Sequence, residues 1–275
     1  MGLPLVSICI PTYNSANFLE RTLDSVLKQS YKNLEIVIVD DCSQDNTVEI
    51  VKKYTDPRVR LYINDKNKGL TGNWNRSVEE ASGEYIKLLC ADDIIYEHCV
   101  EKEVEAFKDN PIVSMVVSNT HIVNSQDKIT LKQKKLSREG VYSGKTLAKK
   151  SIRFKNYYGA PCSTLFKKEL FQRIGGFDNA LKLIPDFDLW LRLSYEGDIY
   201  FIDEYLSAFR VHSVSNTNKL MNGGKDTYAE EHILMVKKHM DYNKIPLSSL
   251  DLWIHKLSRK IRSFMLAVFV NKLNN

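Results

Sequence analysis

Five short apolar runs, at residues 5–10, 34–39, 59–63, 85–89 and 112–117, are separated by segments whose apolar residues recur at helical spacing. Parallel strands need a crossover of a dozen or more residues, usually a helix, so this alternation leaves few architectures open. Between the first two runs, Phe18, Leu19, Thr22, Leu23, Val26 and Leu27 fall at i, i+3 and i+4 positions, which predicts an amphipathic helix over residues 15–29. Similar patterns predict helices over 45–54, 70–81 and 97–108. The order βαβαβαβαβ implies an α/β fold with a mostly parallel sheet covered by helices on its faces.

Past Asn119 the alternation stops. Residues 125–158 are polar, basic and poorly periodic, which reads as a loop with one short helix. Regularity returns with a strand at 162–166, a break at Gly175-Gly176, a helix over 187–195 and a strand pair near 199–211. From Lys225 the chain is helical again, and residues 252–270 carry Lys256, Arg259, Lys260 and Arg262 among apolar positions. That last segment reads either as a helix packed on the domain or as an amphipathic helix at a membrane surface. The expected division is a catalytic-size domain over 1–218 and a C-terminal helical extension over 219–275.

Composition bounds the function. With 43% apolar and 27% charged residues, 275 residues suffice for a buried core, and the chain lacks the signature of disorder. The 39 basic and 34 acidic residues leave a net charge of +5, too small an excess to point to nucleic acid, so no nucleic-acid partner is expected. The excess concentrates at Lys128, Lys132, Lys134, Lys135, Arg138, Lys145, Lys149, Lys150, Arg153 and Lys155. This stretch is either a solvated face or a site for anionic lipid or a phosphate-bearing acceptor. Five cysteines without a C-x-x-C pair fit a reducing compartment, with Cys9 and Cys90 placed in apolar runs as small hydrophobes. The N-terminus lacks a signal-peptide pattern and the longest apolar run, residues 264–270, is far too short to span a bilayer, so a cytoplasmic location is expected, with peripheral contact at the inner membrane face through the basic C-terminal helix.

In open α/β sheets ligands bind beyond the carboxyl ends of the strands. Here the first run leads into Pro11-Thr12-Tyr13-Asn14, the second into Asp40-Asp41 and the fourth into Asp92-Asp93. Each has a local alternative as a helix cap or turn. Together they would place several carboxylates on one rim, where mutual repulsion is relieved by a bound cation. Hard oxygen ligands suit Mg²⁺ or Mn²⁺, shared with a diphosphate. Neither a G-x-G-x-x-G nor a Walker pattern occurs, which argues against a dinucleotide dehydrogenase and a P-loop NTPase.

The strings VSICIPTYNSANFLERTLDSVLKQSYKNLEIVIVDDCSQDNT, NKGLTGNWNRSVEEASGEYIKLLCADD, CSTLFKKELFQRIGGFD, PDFDLWLRL and FRVHSVSNT, in that order, resemble family 2 glycosyltransferases over about residues 4–218. The resemblance implies the GT-A fold, a Rossmann-like sheet, and inverting transfer of a sugar from a nucleotide-diphospho-sugar, UDP by family habit, to an acceptor hydroxyl. A glycan or lipid-linked acceptor in bacterial surface-polysaccharide synthesis would follow. By position, Pro11 and Tyr13 would lie against the nucleotide, Asp41 would bond the base, and Lys68 and Asn73 would fall in the segment closing over base and diphosphate. Asp92 would contact the ribose, Asp93 would bind Mn²⁺ or Mg²⁺, and His212 would complete the metal or diphosphate site.

The same resemblance makes Asp186 the base, with Asp188 as its rival two residues along the same helix. With an ordinary pKa of about 3.9, Asp186 would be ionised at neutral pH. Two positions depart from the family pattern: Pro185 replaces the usual Glu, and Cys90 stands where many relatives carry Asp. Trp190 reads as a packing residue or as a border of the acceptor site. Two other readings stay open, a sugar nucleotidyltransferase, whose Gly-rich phosphate loop is missing, and a catalytically silent nucleotide-sugar-binding or assembly protein.

Overall fold

The architecture comes from a computed structural model, which describes residues 2–108, 110–212 and 225–273. The boundary expected at 218/219, and the end of the FRVHSVSNT string beyond His212, lie outside the described residues.

The first four strands are β1 (Val6–Thr12), β2 (Leu34–Asp40), β3 (Val59–Ile63) and β4 (Tyr85–Leu88), mutually parallel in the order β3-β2-β1-β4. The crossovers are α1 (Leu19–Leu27), α2 (Thr47–Lys52) and α3 (Gly69–Glu79). Helix α1 forms because Leu19, Thr22, Leu23 and Val26 make one buried stripe. Alternation along β1 sends Ile8 and Ile10 to one face of the sheet and Cys9 to the other. The first face packs on α1, α2 and α4 (Cys99–Lys108) through Leu23, Val51 and Val104; the second packs on α3, α5 (Gly144–Arg153) and α7 (Pro185–Glu196) through Trp74, Ala148 and Leu189. Helices α1 to α4 are thus those predicted from periodicity, trimmed by two to four residues at most ends, while α7 starts two residues before the predicted helix over 187–195.

The remaining strands are β5 (Ile94–Ile95), β6 (Val113–Val123), β7 (Ile129–Gln133), β8 (Gly140–Tyr142), β9 (Thr164–Lys167) and β10 (Asp198–Arg210). They extend the sheet as β4-β9-β6-β10-β5. Strand β9 runs antiparallel between β4 and β6 and leads into the short helix α6 (Lys168–Arg173), while β10 is parallel to β6. The carboxyl ends of β1, β2, β4, β6 and β10 therefore share one rim.

Two expectations need correction. Residues 125–158 hold the one short helix expected there, α5, which buries Leu147, Ala148, Ser151 and Ile152, but the rest is not all loop: β7 pairs with β6 and β8 pairs with β10. The expected strand pair near 199–211 is one strand of 13 residues with register shifts around Tyr205. Asp203 and Glu204 look like a turn in sequence, yet they accept hydrogen bonds from Asn119, Lys134 and Lys102, so a bulge carries them without breaking the strand.

The C-terminal part adds α8 (Lys225–Asp241) and α9 (Ser249–Leu273). Helix α8 is bound into the second core face by Met235 and Val236, both fully buried. Its Glu231 accepts from the backbone N–H groups of Lys182 and Leu183, and Lys238 pairs with Asp178. Helix α9 rests on α5 through the Arg153–Asp251 ion pair and His255, whose Nδ1 meets the carbonyl of Ile152.

Candidate functional site

At the end of β4 the chain makes a tight turn in which the Asp93 N–H donates to the Cys90 carbonyl at 3.0 Å. The turn is held from below by Thr22 of α1, whose hydroxyl donates to the carbonyls of Ala91 and Asp93 at 3.0 and 2.8 Å. Strand β5 follows at once and pairs with Ser207 and Ala208 of β10. That pairing brings the end of β10 alongside the acidic turn: the Arg210 N–H donates to Asp93 Oδ1 at 3.0 Å, and His212 Nε2 stands 3.0 Å from Asp92 Oδ2.

Cys90, Asp92 and Asp93 form one cluster, each contributing an atom within 4.8 Å of the others'. Asp93 is fully buried, and its Oδ2 has no hydrogen-bond partner among the described residues. Burial, then the charge of Asp92, pushes its carboxyl well above the usual carboxylate range. A buried, half-satisfied carboxylate beside a second acid is the electrostatic condition that a divalent cation relieves, and oxygen donors with an imidazole suit Mn²⁺ or Mg²⁺. Asp92 is the carboxylate that opens to the cleft, with 30% of its side chain exposed against none for Asp93. The structure thus assigns the cleft-facing place, next to His212, to the acid expected at the ribose, and sets the acid expected on the metal behind it.

Arg210 was not singled out from sequence, yet it organises the rim. Fully buried, its guanidinium donates to the carbonyls of Asp92 and Asn124 at 2.8 and 3.0 Å, pairs with Asp127 at 2.5 Å, and lies 4.9 Å from the Phe18 ring centre. Phe18 also stacks at a tilt on His212, with ring centroids 4.6 Å apart. Arg210 is the last residue of β10, two before His212, and nothing in its local sequence marked it as the residue that closes on the acidic turn.

Asp186 occupies the first turn of α7, where Pro185 at the first position loses no hydrogen bond. Burial pushes the Asp186 carboxyl up to about 6, against the opposing pull of the Phe187 and Asp186 backbone N–H groups. The expected ordinary pKa is replaced by this raised one, at which the carboxyl is still mostly ionised at neutral pH. Its charge reaches Cys90: burial first, then Asp93, Asp92, Cys162 and Asp186 hold the Cys90 thiol well above its usual range. Cys90 also packs against the core face that holds Ile184 and Phe187, which places the acidic turn and the α7 N-terminus on the same side of the sheet. Cys90 itself, expected inside a buried strand, is half-buried two residues beyond β4.

Asp188 has other partners. It is buried in an ion-paired cluster with Arg192 and His239, at 2.6 and 3.0 Å, and Tyr195 Oη stands 2.8 Å from the other nitrogen of His239. Burial opposes its ionisation, but the His239 and Arg192 contacts prevail and hold its carboxyl below the usual range. Asp188 is a tie between α7 and α8. Trp190 is fully buried with its Nε1 donating to the Gly159 carbonyl, as the packing reading requires.

The nucleotide-side residues divide. Tyr13 is 52% exposed at the mouth of β1, Pro11 is buried within it, and Lys68 is exposed at the start of α3. Asp41 is buried and accepts from Asn64 Nδ2 and the Lys68 and Gly69 N–H groups at 2.6, 2.8 and 3.0 Å, so its carboxylate caps α3. Asn73 faces inward too, donating to the carbonyls of Thr12 and Val39 and accepting from Asn64. It cross-links strand ends and does not present its amide to the cleft. In the basic stretch Lys135 is buried, and burial lowers its pKa to about 8, so that member is not part of a solvated face.

Residues 7–175 match the sequence profile of the family described as Glycosyl transferase family 2. An uncharacterized glycosyltransferase of Rickettsia prowazekii (strain Madrid E) is 33% identical over 219 residues, which cover 80% of this chain and 68% of that protein. Among solved structures, residues 1–349 of S. aureus TarS in complex with UDP-GlcNAc align with a TM-score of 0.73 at 18% identity, covering 92% of this chain and 70% of that one. A mannosyltransferase, PcManGT from Pyrobaculum calidifontis, in complex with GDP-Man and Mn²⁺, aligns with a TM-score of 0.66 at 18% identity, over 94% of this chain and 70% of that one. At such identities these two bear on the fold, and they share the GT-A arrangement described above.

Proposed function

The chain belongs to glycosyl transferase family 2 and is a glycosyltransferase, and from that premise we propose that it transfers a sugar from a nucleotide-diphospho-sugar, UDP-linked, to an acceptor hydroxyl with inversion. The observation that carries this reading is the acidic cluster of Cys90, Asp92 and Asp93, with its half-satisfied buried carboxylate, packed through Cys90 against the core face that holds the α7 N-terminus. Asp186 takes the acceptor proton, and a carboxylate of pKa about 6 is both ionised near neutrality and basic enough to do so. Asp92 and His212, backed by Asp93, are the residues that would hold Mn²⁺ or Mg²⁺, and the bound ion would supply Lewis-acid stabilisation of the departing diphosphate. Tyr13 and Lys68, exposed at the same rim, are the nucleotide-side contacts, with Pro11 beneath them. Asp41 and Asn73 act there by fixing the α3 start and the strand ends. Both reference structures were determined with nucleotide sugars, which supports this class of donor.

Thermal unfolding with a panel of nucleotide sugars plus Mn²⁺ tests the reading, because a ligand that binds only the folded state raises the melting point. At a ligand concentration about 100 times Kd the gain is about 2.7 kcal/mol. A UDP-sugar should give the largest shift, and the shift should vanish with EDTA. Absence of any shift across the panel would remove the donor assignment. Donor binding without transfer to any acceptor would leave the silent-binder alternative.

The acceptor is proposed to be a glycan or lipid-linked sugar of a surface polysaccharide, reached at the cytoplasmic face of the membrane. Among the described residues no helix is long and apolar enough to cross a bilayer. On α9, however, Leu250, Trp253, Leu257 and Ile261 are all exposed and follow one helical stripe, flanked by exposed Lys256 and Lys260. Apolar groups beside cations fit an anionic interface. The full chain should float with phosphatidylglycerol-containing liposomes, and a Trp253→Ala, Leu257→Ala double variant should not. Equal recovery of wild type and variant in the pellet fraction would end the membrane claim.

A further inference from the structure

Cys90 is the member of the acidic turn that the function above leaves without a task. It differs from the chain's other thiols in position. Cys9, Cys99 and Cys162 are fully buried, and Cys42 donates to the Asn64 carbonyl at 2.9 Å. Cys90 is half-buried at the cleft, with Sγ among the atoms that lie within 4.8 Å of one another in the Cys90, Asp92 and Asp93 cluster. Two ligands of one ion stand at most about twice a metal–ligand distance apart, about 4–5 Å for sulfur and oxygen donors. The cluster meets that limit without rearrangement of the turn. A second observation is independent of the thiol: Asp93 Oδ2, fully buried, has no partner among the described residues.

We propose that Cys90 supplies a thiolate ligand to the divalent cation held at Asp92 and His212 and backed by Asp93, so that this centre is softer than one built from oxygen and imidazole donors alone and favours thiophilic ions over Mg²⁺. The proposal rests on the metal-dependent reading of the site. The S–H bond breaks, its proton goes to solvent, and a sulfur–metal bond forms with no change in oxidation state. Thiolate ligands select Zn²⁺, Co²⁺ and Cd²⁺ over Mg²⁺, which prefers oxygen ligands and retains water.

The test uses Co²⁺, whose bond to thiolate gives a near-ultraviolet charge-transfer band that oxygen ligands do not produce. Co²⁺ is titrated into the full chain with UDP, read by absorbance and by calorimetry in parallel. The band should appear with stoichiometric Co²⁺, disappear in Cys90→Ser and persist in Cys42→Ser. In Cys90→Asp the Cd²⁺-to-Mg²⁺ affinity ratio should fall about tenfold or more. Calorimetric binding of Co²⁺ with no band, or a band that survives Cys90→Ser, would overturn the thiolate assignment and leave the metal reading intact. Absence of heat from every divalent ion, with and without UDP, would overturn both.

Discussion

Asp186→Asn should lower the rate of sugar transfer by about 10²- to 10⁴-fold while donor affinity stays within a factor of about two, the range expected for loss of a general base. Asn fills the same volume and can still meet the α7 N-terminal N–H groups, so the change removes the proton acceptor and little else. The pH dependence supplies a second reading. With the Asp186 carboxyl pushed up to about 6 by burial, kcat should rise as pH passes through that value and level off above it. The Asn variant should lack that limb. Stability should move the other way. A folded-state pKa above the unfolded value of about 3.9 means that the fold favours the protonated acid, so its contribution is full below the unfolded pKa and is lost as pH rises through about 6. Asp186→Asn should therefore gain stability relative to wild type between pH 4 and pH 7. Near-normal turnover, or an unchanged pH profile, would transfer the base role elsewhere.

The largest stability effect should come from the centre of the sheet and not from the cleft. Lys87, in the middle of β4, reaches Glu103 of α4 with Nζ and Oε1 2.5 Å apart, and neither side chain is exposed at all. Lys87→Met leaves the Glu103 carboxylate buried without its cation, which should cost about 3–5 kcal/mol in urea unfolding. The double variant Lys87→Met, Glu103→Leu removes both charges and restores apolar packing, and it should return to within about 1 kcal/mol of wild type or exceed it. Equal losses in the single and double variants would mean that packing, not charge, holds this contact.

The first half of the fold was legible because its signal is local. Leu19, Thr22, Leu23 and Val26 of α1 declare a buried stripe within nine residues, and β1 to β4 are apolar runs closed by polar rims. The second half hid its order. Lysines at 145, 149 and 150 blurred the bounds of the one short helix expected there, α5, although Leu147, Ala148, Ser151 and Ile152 keep helical spacing, and the strand pair expected near 199–211 is the single bulged strand β10. The antiparallel course of β9 has no local signature, since direction within a sheet is set by connections over the whole domain.

The site shows the same division. The motif residues Asp92, Asp93 and His212 stand together at the end of β4, but sequence could not tell which of the paired acids is the more exposed. That is decided by the Arg210 N–H closing on Asp93 and by the β5–β10 pairing that sets His212 against Asp92, contacts across more than a hundred residues. Asp41 and Asn73 read as ligand contacts because they carry hydrogen-bonding groups at strand ends; their partners turn out to be the α3 N-terminus and the backbone of β1 and β2. Asp188, two residues from the proposed base Asp186, is claimed instead by Arg192 and His239.

The most direct measurement is anomalous diffraction at the manganese edge from crystals of the full chain grown with Mn²⁺ and UDP. One peak is predicted within bonding distance of Asp92 and close to His212, in the cleft that Asp186 borders. A peak bound elsewhere, or none beside an ordered UDP, would contradict the metal-assisted transfer argued from this cleft.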